Sequence, residues 1–135
     1  MTAATPAHGL RGTSALVTPT QLDALLRRDD GAGARAVRVL DVRWRLDLPE
    51  GRPAYVRAHL PGAVYVDLEG ELARRGQPHE GRHPLPEHAD LERAARSWGL
   101  RESDAVIAYD DNHGVAAARA WWLLRRGGID VRVLD

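Results

Sequence analysis

Ala105-Val106-Ile107-Ala108-Tyr109 is apolar from end to end, and only Asp110-Asp111-Asn112-His113-Gly114 separates it from a helical pattern over 115–126. A strand with no polar face must be covered on both sides, the condition of a strand inside a parallel sheet. A helix that starts within five residues supplies one covering layer, and also the crossover that parallel strands need. The same alternation recurs along the chain. A short apolar run at 15–17 leads into Thr18-Pro19-Thr20-Gln21, where Thr18 caps, Pro19 takes the first helical position and Gln21 completes a capping box. Leu22, Leu25 and Leu26 then share one helical face, and Gly31 and Gly33 stop the helix. Further strands are expected at 37–42, 63–66 and 131–134. Further helices are expected at 68–73, capped by Asp67, and at 86–98, with Leu91, Ala94, Ala95 and Trp98 inward and Gly99 at the end. Residues 44–61 hold three prolines and no clear period, so they read as a long loop, and 74–86 as a polar surface excursion. The sum is an α/β domain with a mainly parallel sheet.

Composition narrows the chemistry. With 135 residues, 44% of them hydrophobic, the chain is expected to form one folded domain over 14–135, preceded by a flexible tail at 1–13. Nineteen basic residues, all Arg, balance nineteen acidic ones, so no basic excess points to nucleic acid. The chain contains no Lys, and so no amine for Schiff-base chemistry. It contains no Cys, which excludes disulfides, thiolate metal sites and a thiol nucleophile within these residues. No apolar run approaches the roughly 18 residues of a membrane helix, and the first residues lack a signal-peptide core. A cytoplasmic location is the default expectation.

In an open parallel sheet, ligands sit outside the carboxyl ends of the strands. Three polar segments leave such ends: Asp41–Arg43, Asp67–Glu69 and Asp110–Gly114. The third runs directly into a helix, where converging backbone N–H groups and the helix dipole favour an anion. Asp110 stands first in that loop, and its carboxylate is placed to fill the anion position itself, worth about 0.3–1 kcal/mol as a helix-terminus charge. The plain reading is that Asp110 and Asp111 cap the helix; an interdomain contact and a reactive carboxylate are the others. Asp41 and Arg43 are expected to form a structural ion pair. Arg119, one turn into the helix, is expected in a salt bridge reaching back to Asp110 or across to a partner. Trp121 and Trp122 are adjacent and diverge around the helix, so one should be core and the other should face outward.

Two other patterns point to different chemistry. His79-Glu80-Gly81-Arg82-His83 spells H-E-x-x-H, but the metal site needs a helix, and Gly81 with Pro78, Pro84 and Pro86 leaves room for one turn at most. No metal is expected. Asp110-Asp111-Asn112 after an apolar strand also suits a Mg²⁺-dependent phosphatase using Asp110, which would need further carboxylates and a base.

Four motifs in order carry a family resemblance. Val39-Leu40-Asp41-Val42-Arg43-Trp44 is the first. Tyr55 with His59-Leu60-Pro61-Gly62-Ala63-Val64-Tyr65-Val66-Asp67-Leu68 is the second. Gly81-Arg82-His83-Pro84-Leu85-Pro86 is the third. The fourth is Tyr109-Asp110-Asp111-Asn112-His113-Gly114 followed by Ala118-Arg119-Ala120-Trp121-Trp122. Together they resemble the first, non-catalytic domain of tandem thiosulfate/3-mercaptopyruvate sulfurtransferases, over about residues 16–135. The resemblance implies a rhodanese-like three-layer fold with a mainly parallel central sheet, lacking its last helix because the chain stops at Leu134-Asp135. It implies a parent enzyme in which a second rhodanese domain, normally the C-terminal half of the same chain, supplies a cysteine. That cysteine takes sulfane sulfur from thiosulfate or 3-mercaptopyruvate as a persulfide and passes it to cyanide or a thiol acceptor.

Asp110 stands at the position of that cysteine, so no catalytic residue is expected here. Asp110, Asp111, Asn112, His113 and Gly114 form a vestigial anion loop, with Asp41, Arg43, Arg57, Arg119 and Trp122 supporting it or meeting the partner domain. Arg57 is the residual anion-binding candidate, since an arginine near the Leu-Pro-Gly turn assists substrate anions in catalytic rhodanese domains. No metal or organic cofactor is implied, and the expected partner is a catalytic rhodanese domain, with neither nucleic acid nor membrane. The alternative is a free-standing inactive rhodanese module that binds an anion or a partner protein.

Overall fold

The computed structural model describes residues 14–29 and 35–135. The expected tail at 1–13 and the helix-stopping Gly31 and Gly33 lie outside the described residues. Along the chain run β1 (Leu16–Val17), α1 (Pro19–Arg28), β2 (Val37–Asp41), α2 (Arg52–Arg57), β3 (Val64–Tyr65) and α3 (Leu68–Glu71). A 3₁₀ turn (Pro78–Glu80), α4 (His88–Ser97), β4 (Ala105–Tyr109), α5 (Val115–Arg126) and β5 (Asp130–Leu134) complete it. The five strands form one sheet in the order β1-β5-β4-β2-β3, and every pairing is parallel.

The centre of the sheet is the β4 run. Val106 and Ala108 point to one face and Ile107 to the other, all three fully buried. Leu40 and Val39 divide in the same way on β2. The first face carries α3, α4 and α5, whose Leu68, Leu72, Ala94, Trp98, Ala117, Ala120 and Leu124 fill the larger core. The second face carries α1 and α2 through Leu22, Leu25, Leu26, Tyr55 and Leu60, over Val39, Ile107 and Val17. The layers are therefore helix, sheet, helix. At roughly 25 cal/mol per Å² of apolar area removed from water, these two cores are the principal source of stability.

Local signals explain the helix starts. Thr18 Oγ1 accepts the Gln21 amide at 3.2 Å and Gln21 Oε1 accepts the Thr18 amide at 2.9 Å, so the capping box forms as written in the sequence. Asp67 caps α3 by accepting the Glu69 amide at 3.2 Å. Trp98 closes α4, its indole N–H donating to Glu71 at 2.9 Å, and Gly99 follows in the left-handed conformation with φ 79°.

One expected loop contains a helix. Residues 44–61 are not irregular throughout, because α2 occupies Arg52–Arg57. Pro53 lies in its first turn, where a missing N–H costs nothing, so proline there starts a helix rather than breaking one. Gly51 precedes it for a steric reason: a Cβ at that position would lie 2.0 Å from the Arg43 carbonyl oxygen. The ends of other elements move by a residue or two. Strand 63–66 shortens to Val64–Tyr65, helix 68–73 to Leu68–Glu71 and helix 86–98 to His88–Ser97, while the last strand starts at Asp130.

Candidate functional site at the strand carboxyl ends

All five strands point the same way, so the segments after β2, β3 and β4 gather at one end of the sheet. The loop after β4 is closed by its own first residue. Asp110 Oδ1 accepts the amides of Asn112 at 2.8 Å and Gly114 at 2.9 Å, and Oδ2 accepts the Ala117 amide at 2.8 Å. These donors bracket two left-handed residues, His113 at φ 56° and Gly114 at φ 78°. A non-glycine residue in that conformation costs about 1 kcal/mol or more, and the carboxylate offsets it by binding the amides on either side. The result is an anion cradle at a helix N-terminus with a carboxylate already in it. Asp111 and His113 are exposed beside it.

The end of β2 uses its charge differently. Asp41 is fully buried and takes Arg43 Nε at 3.0 Å, Arg43 Nη2 at 2.7 Å and the Tyr109 hydroxyl at 2.6 Å. Arg43 Nη2 also donates to the Ala58 carbonyl at 2.6 Å, and the Leu60 amide donates to the Tyr109 hydroxyl at 3.2 Å. Burial and the Asp41 carboxylate push the Tyr109 phenol up, and hydrogen bonding to Asp41 raises the Arg43 guanidinium further. The expected ion pair exists, and it ties residues 58–60 to β2 and β4.

Arg119 corrects an expectation. It makes no salt bridge among the described residues. Its Nε donates to the Leu72 carbonyl at 2.8 Å and its Nη2 to the His83 carbonyl at 2.9 Å, and half-burial lowers its pKa. The guanidinium is satisfied by chain carbonyls where the excursion after α3 crosses α5, so no carboxylate is needed. Arg57 ends α2 on the opposite helical layer, exposed, with no hydrogen bond or ion pair to the 110–114 loop. Trp121 packs against the larger core and Trp122 is exposed under the Arg126 guanidinium, 4.6 Å from its ring centroid.

A second group assembles after β2 and β3, at the same end of the sheet. Trp44, just after β2, donates its indole N–H to Glu69 at 3.2 Å, and His83 Nε2 lies 3.3 Å from the same oxygen. The Trp44 and His83 rings meet edge to face at 5.1 Å. These contacts hold the Glu69 carboxyl below the usual carboxylate range, the indole N–H contributing most. Glu69 and His83 line a polar cavity of about 550 Å³, together with Glu50, Asp67, Arg75 and Arg82. Arg119 joins this wall to α5 through the His83 carbonyl. Trp44, Glu69 and His83 each stand in a segment that the sequence marked, but 14 to 25 residues separate Glu69 from the other two, so their meeting left no local signal. His79 sits in the 3₁₀ turn, which ends at Gly81 with φ 89°, and His79 and His83 share no metal cluster among the described residues.

The family model of the rhodanese-like domain matches residues 18–135. A Mycobacterium tuberculosis protein named as the thiosulfate sulfurtransferase SseB is 46% identical over 121 residues, 89% of this chain and 41% of that protein. A Pseudomonas aeruginosa protein named as a 3-mercaptopyruvate sulfurtransferase is 44% identical over 113 residues, 81% of this chain and 37% of that protein. Among solved structures, Escherichia coli SseA, described as having the rhodanese fold, superposes with a TM-score of 0.75 at 27% identity, over 91% of this chain and 45% of that one. The chain spans about two fifths of the length of the curated relatives it matches. No helix among the described residues is long and apolar enough to cross a membrane. With a family match that covers all the described elements from α1 to β5, on a sheet whose strand-end loop forms an anion cradle, the chain belongs to the rhodanese-like domain family.

Proposed function

We propose that this chain is the non-catalytic rhodanese domain of a tandem sulfurtransferase, one that moves sulfane sulfur from thiosulfate or 3-mercaptopyruvate to cyanide or a thiol acceptor. The observation that supports it most is the occupied cradle. A sulfur-carrying cysteine in this loop would be stabilised as a thiolate by the same amides and helix dipole. Here Asp110 holds those amides at 2.8–2.9 Å, and no cysteine exists in the chain to form a persulfide. A carboxylate is not a thiolate and cannot carry sulfane sulfur as a persulfide. The loop keeps the architecture of the reaction without its nucleophile.

The role that remains is to pack against a catalytic rhodanese domain and shape the entrance to its site. Exposed apolar groups lie at this end of the molecule, with Leu46, Leu48, Leu85 and Val115 all about half exposed or more. The cavity wall of Glu69 and His83, braced by Trp44, would be the face offered to that site. A cyanide-dependent thiocyanate assay with thiosulfate and with 3-mercaptopyruvate tests the proposal. It is run on this chain alone and on the chain mixed with a separately expressed catalytic half. Silence alone with activity raised in the mixture supports the reading. Activity of the chain alone would sink it, and no effect in the mixture would favour a free-standing module that binds an anion or a partner.

A further inference from the structure

The excursion after α3 is packed more on itself than on the domain. The Arg74 amide donates to the Pro84 carbonyl at 3.1 Å, which closes a neck between the two ends of the segment. Inside, the Glu80 carboxylate pairs with the Arg74 guanidinium and accepts the Gln77 amide at 2.7 Å, and the Glu80 amide donates to the Gln77 carbonyl at 2.9 Å. Gly76 lies against this centre: a Cβ there would lie 2.7 Å from Glu80 Oε2 and 2.8 Å from the Pro84 ring. A surface loop of roughly 6–16 residues with joined ends, filled by its own side chains, is an Ω-loop. No large hydrophobic side chain occurs in 74–83, and 75–82 are exposed. Among the described residues, every hydrogen bond and ion pair of 75–82 stays within 74–84. The Arg82 charge acts on Glu69 across that boundary.

Attachment is concentrated at the neck. Leu72 belongs to the larger core and Ala73 beside it is buried, so this end is fixed. Arg119 on α5 spans the joint. Its Nε donates to the Leu72 carbonyl at 2.8 Å on the fixed side, and its Nη2 to the carbonyls of His83 at 2.9 Å and Pro84 at 3.4 Å on the loop side. The His83 ring adds its contact with Glu69 at 3.3 Å and its edge-to-face contact with Trp44. We propose that residues 74–84 are a lid that swings as one body, pinned by Arg119 and latched by His83 on Glu69 and Trp44. A unit with its hydrogen bonds inside and few buried apolar contacts outside can open as a whole at low cost. Gly76, Gly81 and Arg82 line the cavity from the lid, and Pro49, Glu50 and Gly70 line it from the fixed side, so opening parts the two walls. The lid is a property of this chain alone and does not depend on the supporting role proposed above.

The chain has no cysteine, so two introduced cysteines carry spin labels without a competing site. His79→Cys on the lid and Val56→Cys on α2, both exposed, give a separation that pulsed electron paramagnetic resonance measures. A second pair, Arg75→Cys with His79→Cys, lies within the lid. The labelled chain is expected to show one dominant 56–79 separation. Arg119→Met removes the charge-assisted bonds across the joint and should raise the population of a second 56–79 separation roughly tenfold. His83→Phe keeps a ring beside Trp44 but gives up the contact with Glu69, and should raise it roughly threefold. The 75–79 separation should stay the same throughout, as a body that swings requires. Circular dichroism reports whether each variant is folded, and His83→Phe carries the test if Arg119→Met is not. A single unchanged 56–79 separation in the folded variants would overturn the proposal. So would a second separation that comes with a broadened 75–79 distribution, since residues 74–84 would then unfold locally instead of swinging.

Discussion

Asp41 and Asp110 stand at the ends of neighbouring parallel strands, and each holds a carboxylate at the carboxyl end of the sheet, yet they are neutralised in opposite ways. Asp41 is matched by a full countercharge, Arg43, and by the Tyr109 hydroxyl. Asp110 has no cation partner among the described residues: three backbone amides and the helix N-terminus hold it. The first arrangement recognises one particular side chain. The second is generic, since amides and a dipole stabilise whichever anion stands there. A pair such as Asp41–Arg43 therefore belongs to the scaffold, and a cradle such as that of Asp110 belongs to the part of the fold where chemistry can be placed or withdrawn.

The contrast can be pressed with substitutions. Asp41→Ala should cost most, about 3–5 kcal/mol in chemical denaturation, because it strands a half-buried guanidinium and releases residues 58–60. Asp110→Ala should cost less, about 1–3 kcal/mol, because three amides lose their acceptor at the edge of solvent. Asp110→Asn should recover part of that by keeping one carbonyl oxygen. If Asp110→Ala proved the more damaging of the two, the assignment of scaffold and cradle would be reversed. Tyr109→Phe removes one neutral donor from Asp41 and should cost about 0.5–1.5 kcal/mol.

A third carboxylate lies between these extremes. Glu69 is held by an indole N–H and an imidazole, and its pKa is depressed in the folded state. Such a group contributes stability that is present above its unfolded value, about 4.3, and is lost as pH falls through the lower folded value. The Trp44 indole proton resonance should therefore move as the pH drops below about 4, and Glu69→Gln should abolish that movement. A pH-independent resonance in the parent chain would show that Glu69 does not hold the wall.

Much of the fold was legible because its signals are local. The Thr18–Gln21 capping box, the apolar β4 run and the glycine that ends α4 each act within a few residues, and each appears in the structure as the sequence suggested. The α2 helix was not legible. It is only six residues long, shows no hydrophobic period, and depends on Tyr55, whose hydroxyl reaches the Ala63 carbonyl at 2.7 Å. The site divided along the same line. Asp110 and the Asp41–Arg43 pair were readable because their partners are two to seven residues away. Arg119 was misread because its acceptors lie 36 and 47 residues upstream, and carbonyls leave no trace in the side-chain pattern. The cavity, assembled from the segments after β2 and β3, was invisible for the same reason.

The generic nature of the cradle can be measured directly with Asp110→Cys, which places the chain's sole cysteine where the carboxylate now sits. The readout is the pH dependence of its alkylation by iodoacetamide. The account expects a thiol pKa well below the free value of about 8.5, since the amides of Asn112, Gly114 and Ala117 would hold a thiolate as they hold Asp110. A thiol that titrates at or above about 8.5 would contradict it, showing that the loop is shaped for a carboxylate alone and is not a rhodanese anion cradle with its nucleophile withdrawn.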